Sequence, residues 1–177
     1  MKYTLRALLC LLLALCLTLP LSSCDSGKWR DDLTADSACS YVLPALSAEG
    51  IDVWRAVSNG YISPSSWGED YADYLEKVDG YCIMVAENSN VKIDEVGVFL
   101  CKTEKDAKAI KTFAENYLAT KKLQLTPLLE SYNPEEIPKL EAAAVHTVGR
   151  YVLYTIADSA DVAAAVAALE KALTPAE

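Results

Sequence analysis

The chain has 177 residues, 52% of them hydrophobic, and a formal net charge of −9. This length suits one domain with a substantial core. The excess of acid excludes electrostatic attraction to nucleic acid or to an anionic lipid surface, so no nucleic-acid partner is expected.

The first residues have the pattern of an export signal. Lys2 and Arg6 are the only charged residues before Cys24, and an uninterrupted run of Leu, Ala, Cys and Thr covers residues 7–19. That run fits the apolar region of a signal peptide and is too short for a comfortable membrane span. We therefore predict a signal peptide over residues 1–23.

The stretch Leu21-Ser22-Ser23-Cys24 resembles a bacterial lipobox, in which small residues precede a lipidated cysteine. Cleavage between Ser23 and Cys24 would make Cys24 a diacylated N-terminus, and two acyl chains form a stable anchor. The alternative is an ordinary secretory signal cleaved nearby, which would leave a soluble protein. We predict attachment to the cell membrane through lipid on Cys24, at its extracytoplasmic face, with residues 24–33 as a lipidated tether.

Two amphipathic helices are predicted in the N-terminal half. Thr34 is a suitable N-cap for a helix that ends at about residue 46. A second helix is predicted over residues 65–78, where one stripe at helical spacing contains Trp67, Tyr71, Tyr74, Leu75 and Val78. Residues 50–64, which are rich in Gly, Ser and Asn, are expected to form an irregular packed loop or a short helix.

The hydrophobic period then changes to the alternation that is typical of strands. Strands are predicted at 81–86 and 93–102, separated by turn residues. Thr103 is expected to cap a long helix, with Asp106 three residues later as in a capping box. Residues 127–138, bounded by prolines, are interpreted as a linker.

The same order of elements follows in the last part of the chain. After a helix to about residue 144, strands are predicted at 145–148 and 151–157. Gly149 is the first residue of the two-residue connection between them, which is typical of a type II′ hairpin turn. Asp158 is expected to cap the final helix.

These predictions amount to two β-β-α units. They imply an α+β fold, in which an antiparallel sheet of about four strands packs against helices and is preceded by a helical N-terminal half. We predict a single domain over residues 34–177.

Several segments together resemble one known family. They are VKIDEVGVFLCK at 91–102, the Lys-rich helix behind it, the YNPEE start at 132–136, the hairpin VHTVGRYVLY at 145–154 and the Ala-rich last helix. This order of elements is similar to lipoproteins of Gram-positive anaerobes described as domain of unknown function 4358, over roughly residues 34–173. The resemblance implies no established activity and no catalytic residues, and the cysteines of this chain depart from the family pattern.

Beyond the lipidated residue, three cysteines remain: Cys39, Cys82 and Cys101. An odd number leaves at least one unpaired in a monomer. If the strands at 81–86 and 96–102 pair so that Cys82 lies opposite Cys101, an oxidising exterior would favour a disulfide between them. A register shifted by one residue would put the two on opposite faces, where they cannot bond.

His146 is the only histidine, and any Ser-His-Asp or Cys-His system would have to use it. No nucleophile motif accompanies it, so we expect a half-exposed residue of a sheet. A single histidine and the lack of a Cys-x-x-Cys motif also predict no metal site.

Two other groups of side chains have a functional and a structural interpretation. Paired carboxylates serve glycosidases and Ca²⁺ sites, but acids opposite an apolar stripe are typical of a solvated helix face; the acids concerned are Glu69, Asp70, Asp73 and Glu76. Exposed aromatic residues would stack on a glycan or anchor a partner protein, whereas aromatic residues at helical spacing usually belong to the core.

The sequence therefore predicts a lipid-anchored extracytoplasmic protein that binds or scaffolds. The expected partners are the membrane, through the lipid on Cys24, and an envelope protein or glycan. No enzymatic activity and no cofactor are expected. One alternative is a cell-envelope hydrolase that uses acidic residues and His146. Another is the small-molecule-binding component of a transporter, although the chain is short for a two-lobed receptor.

Overall fold

The structure is a computed structural model that describes residues 28–46, 54–58, 60–87 and 92–175. The predicted signal peptide, the Ser23–Cys24 cleavage site and the lipidation site at Cys24 lie outside the described residues. Within the described ranges, no helix is both long and apolar enough to cross a membrane.

One antiparallel sheet forms the centre of the described structure. Its spatial order is β1-β2-β3-β5-β4, and the strands are β1 (Trp54–Ala56), β2 (Val78–Ala86), β3 (Glu95–Cys101), β4 (Ala144–Val148) and β5 (Tyr151–Ile156). The predicted α+β class is confirmed. The fifth strand is β1, a short edge strand in the segment that was expected to be a loop.

Six α-helices accompany the sheet in the described part of the chain. They are α1 (Ala35–Val42), α2 (Pro64–Trp67), α3 (Tyr71–Leu75), α4 (Glu104–Tyr132), α5 (Ile137–Ala142) and α6 (Ser159–Leu173). A turn of 3₁₀-helix follows α1 at Leu43–Ala45, and another precedes α5 at Pro134–Glu136.

The sheet buries both of its faces. Alternate strand residues, such as Val96, Val98 and Leu153, form one cluster with the buried sides of α1 and α6. The residues between them, such as Phe99 and Val152, pack against α4 and α2. Because each face is covered by different helices, the two β-β-α units place their helices, α4 and α6, on opposite faces.

The helix starts follow the predicted caps. The hydroxyl of Thr34 accepts a hydrogen bond from the backbone N–H of Ser37, and that of Thr103 accepts one from the N–H of Asp106. Each bond satisfies an N–H group that has no partner within its helix.

The predicted helix over 65–78 is wrong. The chain forms the short helices α2 and α3 instead, and Gly68 between them has a φ of 100°, which a side-chain-bearing residue rarely adopts. Val78 belongs to β2, because it pairs with Cys101 of β3. The stripe of aromatic residues is nevertheless packed on the core, with Trp67 buried.

The predicted linker over 127–138 is also wrong in its first half. Helix α4 continues through Pro127 to Tyr132. Proline removes one backbone hydrogen bond from a helix, but Pro127 is exposed and Leu129 beyond it packs in a cluster with Leu140 and Ile156. This packing stabilises the last turn of the helix.

The hairpin turn at Gly149-Arg150 has the predicted geometry, with a φ of 56° at Gly149. The described part of the predicted tether lies close to it. Trp29 packs over Gly149, and the hydroxyl of Tyr151 donates to the carbonyl oxygen of Leu33 at 2.7 Å. Residues 29–33 therefore lie against the domain.

The strand register corrects the predicted disulfide. Cys82 lies opposite Val98, and Cys101 lies opposite Val78. Cys82 faces the cluster under α1 and α6, whereas Cys101 is buried under α4, so the sheet separates the two thiols. The alternation that buries Val98 on one face and Cys101 on the other sets this register. Both cysteines are free thiols.

Gly97 of β3 is predicted to be intolerant of any side chain. A Cβ atom there would overlap the Tyr154 ring and lie 2.6 Å from its Cζ atom, whereas a Cβ at Gly80 of β2 has no neighbour within 4 Å. Overpacking of a core costs about 1–3 kcal/mol. We expect Gly97→Ala to lower the free energy of unfolding by at least that amount and Gly80→Ala to change it much less, as measured by urea unfolding. Equal effects of the two substitutions would contradict the packing described here.

Candidate functional site

A buried carboxylate with four donors lies at the start of β3. Glu95 is only 1% exposed. Its Oε1 accepts hydrogen bonds from the hydroxyls of Tyr154 at 2.6 Å and Tyr117 at 2.7 Å, and its Oε2 accepts one from Tyr61 at 2.8 Å. The ammonium of Lys121 also contacts Oε2 as an ion pair. All the hydrogen-bonding capacity of this carboxylate is used by donors from the protein.

Three separate segments bring these donors to Glu95. Tyr154 lies on β5, two residues before Ile156, which pairs with Glu95, so both side chains lie on the same face of the sheet. Tyr117 and Lys121 are one helical turn apart on the sheet-facing side of α4. Tyr61 comes from the segment before α2. The absence of a side chain at Gly97 leaves the space that the Tyr154 ring occupies.

The surroundings of Lys121, Tyr117 and Tyr154 set the protonation states that these hydrogen bonds require. Burial lowers the pKa of Lys121, but Glu95 and Tyr61 together raise it by more, so that it lies above its ordinary value of 10.5. Burial, together with the Glu95 charge, raises the pKa values of Tyr117 and Tyr154. At neutral pH the lysine is charged and the tyrosines are protonated donors.

A second buried network lies beside the first, because it contains Asp94, the residue before Glu95. The ammonium of Lys139 donates to Oδ2 of Asp94 at 2.7 Å and to both oxygens of Glu136 at 3.0–3.1 Å. Glu136 also accepts from Lys92 and from the N–H of Ile93, each at 3.1 Å. Burial raises the pKa of Glu136, but these donors lower it by more, so its net shift is downward.

Asp94 is the incompletely satisfied member of this network. It is 1% exposed, and its Oδ1 has no hydrogen-bond partner in the described part of the chain. Burial raises its pKa despite the contact with Lys139. A buried acceptor without a donor is costly, and this oxygen is itself shielded from solvent by the surrounding protein.

Asp94 lines a cavity of about 220 Å³. The side chains around it are Arg55, Tyr61, Val85, Lys92, Ile93, Asp94, Glu95, Lys121 and Leu125. Lys92 and Lys121 are each paired with a carboxylate, whereas Arg55 is exposed and forms no ion pair with any other described residue. The cavity thus presents an uncompensated guanidinium, whereas the unpaired oxygen of Asp94 is too deeply buried for a water-sized molecule to reach.

The exposed guanidinium gives the cavity the means to bind an anionic group. A guanidinium binds carboxylate and phosphate groups through paired hydrogen bonds. Glu95 is already saturated with donors, and no serine, cysteine or histidine lines the cavity among the described residues.

The structure does not bring His146 to the acidic residues. It is half-buried on β4 and pairs with Leu153, which in turn pairs with Val98, all in the row that faces α1 and α6. Glu95 lies on the opposite face. The acids on and around α3 are exposed to solvent: Glu69, Asp70, Asp73 and Glu76. In the described residues, no group of three or more His, Cys, Asp or Glu side chains is placed to hold a metal ion.

The aromatic residues of the N-terminal half mainly serve the core. Trp67 is buried and stacks on Tyr117 with ring centroids 3.8 Å apart and the rings nearly parallel. This contact holds Tyr117 where its hydroxyl reaches Glu95.

Sequence reasoning missed the Glu95 and Asp94 networks, although one signal for them was present. Two adjacent acids, Asp94-Glu95, stand in an otherwise apolar strand segment, and the alternation of a strand forces one of them toward the interior. Buried tyrosine hydroxyls also need acceptors, and the ring of Tyr117 lies in the core.

Comparisons with known proteins identify the central part of the chain. The sequence model of the family described as Domain of unknown function (DUF4358) matches residues 72–157. This segment contains β2–β5, α4 and both buried networks, except for Tyr61. No curated protein and no solved structure matches the chain.

The networks predict a loss of stability at alkaline pH. Five groups have pKa values raised above their ordinary values of 10.5 for lysine and 10.0 for tyrosine: Lys121, Lys139, Tyr61, Tyr117 and Tyr154. The folded protein therefore binds these protons more tightly than the unfolded chain. Their contribution is complete below the ordinary values and is lost as the pH rises toward the folded values, by about 1.4 kcal/mol per pH unit for each group.

We expect the free energy of unfolding, measured with urea between neutral pH and about pH 11, to fall steeply above about pH 10. Tyr154→Phe removes one of the five groups and should make the slope shallower. A free energy that stays constant over this range would show that these groups are not buried as described.

Proposed function

We propose that this chain, whose residues 72–157 match the family model described as domain of unknown function 4358, is a lipid-anchored binding module at the outer face of the cytoplasmic membrane. Its binding site is the cavity beside Asp94. The ligand class is a small polar molecule with a carboxylate or similar anionic group, such as an amino acid or a short dicarboxylate.

The single observation that carries the binding proposal is the exposed guanidinium of Arg55, which lines the cavity and forms no ion pair within the described part of the chain. The ligand's anionic group would pair with this guanidinium. The volume of about 220 Å³ suits a small molecule, since drug-sized ligands occupy roughly 300–1,000 Å³.

The N-terminal sequence supports the anchoring proposal. The apolar run over 7–19 and the small residues before Cys24 have the features that lipoprotein processing requires. With two acyl chains, each buried CH₂ group contributes about 0.8 kcal/mol, which suffices for stable attachment.

The geometry of the domain is compatible with an anchor at Cys24. The backbone oxygen of Asp31 accepts from Arg150, and the carbonyl of Arg150 accepts from the N–H of Cys101, so the tether meets the sheet at the end of β3. Glu95 and the cavity lie at the other end of that strand. Seven strand residues separate them by about 20 Å, and a domain anchored at Cys24 would therefore open its cavity away from the membrane.

We expect cell fractionation to recover the wild-type protein with the membranes, and mass spectrometry to find an N-terminal peptide that starts at a diacylated Cys24. Cys24→Ser should release the protein from the membranes or leave it as uncleaved precursor, whereas Cys16→Ser, within the signal peptide, should change nothing. Wild-type protein in the cytosol with an unmodified Cys24 would contradict the anchoring proposal.

The binding half of the proposal is tested on the purified protein with free amino acids and short dicarboxylates as probes. At least one probe should raise the Tm in a concentration-dependent way. Arg55→Gln should abolish the effect, and Lys105→Gln, which removes an exposed charge on α4 away from the cavity, should keep it. If no probe raises the Tm of the wild-type protein, this ligand class is wrong.

A further inference from the structure

The sheet separates the three described cysteines, with two on one face and one on the other. Cys39 is buried on α1, and Cys82 is half-buried on β2. Both belong to the hydrophobic cluster between the sheet and the two helices α1 and α6. Cys101 is buried in the cluster on the opposite face, under α4.

The packing of α1 brings the first two thiols into contact. The buried side of this helix consists of Ala35, Ala38, Cys39 and Val42. The helix lies across β2 and β3, and Cys82, opposite Val98, faces it. A hydrogen bond between the two thiol groups is the largest cause of the pKa shift of each cysteine. Two segments that are 43 positions apart in the chain therefore meet at a pair of sulfur atoms.

The two thiols are chemically unequal. The hydrogen bond with Cys82 and burial both raise the pKa of Cys39. The same bond lowers the pKa of Cys82, against the effect of its own burial. Because the thiolate is the nucleophile in thiol–disulfide exchange, Cys82, which is also the more accessible of the two, is the attacking residue.

We propose that Cys39 and Cys82 are an oxidisable dithiol that closes into a disulfide between α1 and β2. The oxidant is a disulfide compound. The Cys82 thiolate attacks one of its sulfur atoms and releases one thiol, and Cys39 then attacks the mixed disulfide and releases the second. Two S–H bonds are lost, one S–S bond forms, and the two electrons and two protons leave with the two thiols of the reduced oxidant.

The third cysteine is the internal control. Burial raises the pKa of Cys101 to about 12, and the sheet separates it from the other two. It is expected to remain a thiol when the pair is oxidised.

The test uses the full chain and oxidised glutathione as the probe. Free thiols are blocked with N-ethylmaleimide, the protein is digested with trypsin, and the peptides are identified by mass spectrometry without reduction. The three cysteines fall on different tryptic peptides, 31–55, 78–92 and 93–102. The expected product is peptide 31–55 linked to peptide 78–92, with peptide 93–102 alkylated.

The oxidised wild-type protein should have a Tm higher than the reduced protein by roughly 5–15 °C, since the bond restricts the unfolded chain. Cys101→Ser should retain both the cross-link and the Tm difference, and Cys82→Ser should lose both. Alkylation of all three peptides, or a link between 78–92 and 93–102, would overturn the proposal. The wild-type digest decides the question even where a variant fails to fold.

Discussion

The folded structure depends on the compensation of one buried charge, that of Glu95, by donors from the protein. A carboxylate removed from water is strongly destabilising unless it is paired and hydrogen-bonded. Glu95 avoids that cost only if Tyr61, Tyr117, Lys121 and Tyr154 reach it together. These donors come from three elements distant in sequence, so a loop, helix α4 and strand β5 must all dock before the charge is compensated. The network thereby couples the docking of these three elements to the position of the cavity.

The elements that could be predicted are those with strong local signals. Alternating apolar residues predicted β2–β5, and Thr34 and Thr103 marked helix starts because their hydroxyls satisfy free N–H groups. The failures have tertiary causes. Strand β1 has only three residues and exists because β2 offers an edge to pair with. The aromatic stripe over 65–78 has helical spacing, but Gly68 interrupts it and Val78 pairs with β3. Packing of Leu129 carries α4 beyond Pro127.

The candidate site was harder to predict, because its members are recognisable only as a set. As the only histidine, His146 was the residue that any Ser-His-Asp or Cys-His system would have to use. It lies on the other face of the sheet from Glu95. Helical spacing places the ring of Tyr117 on the buried side of α4, but it says nothing of where the hydroxyl finds its acceptor. Cysteine pairing failed for a related reason, since a three-residue difference in strand register decides which face each thiol occupies.

The central claim, that an ionised Glu95 holds these elements together, is tested most directly by a double-mutant cycle of Tyr154→Phe and Glu95→Gln in urea unfolding. A hydrogen bond to a charged group contributes about 1.5–3 kcal/mol, and one to a neutral group about 0.5–1.5 kcal/mol. Loss of the Tyr154 hydroxyl should therefore cost about twice as much stability with Glu95 present as with glutamine in its place. The same cost in both backgrounds would contradict the account, because it would mean that the hydroxyl does not interact with a carboxylate charge.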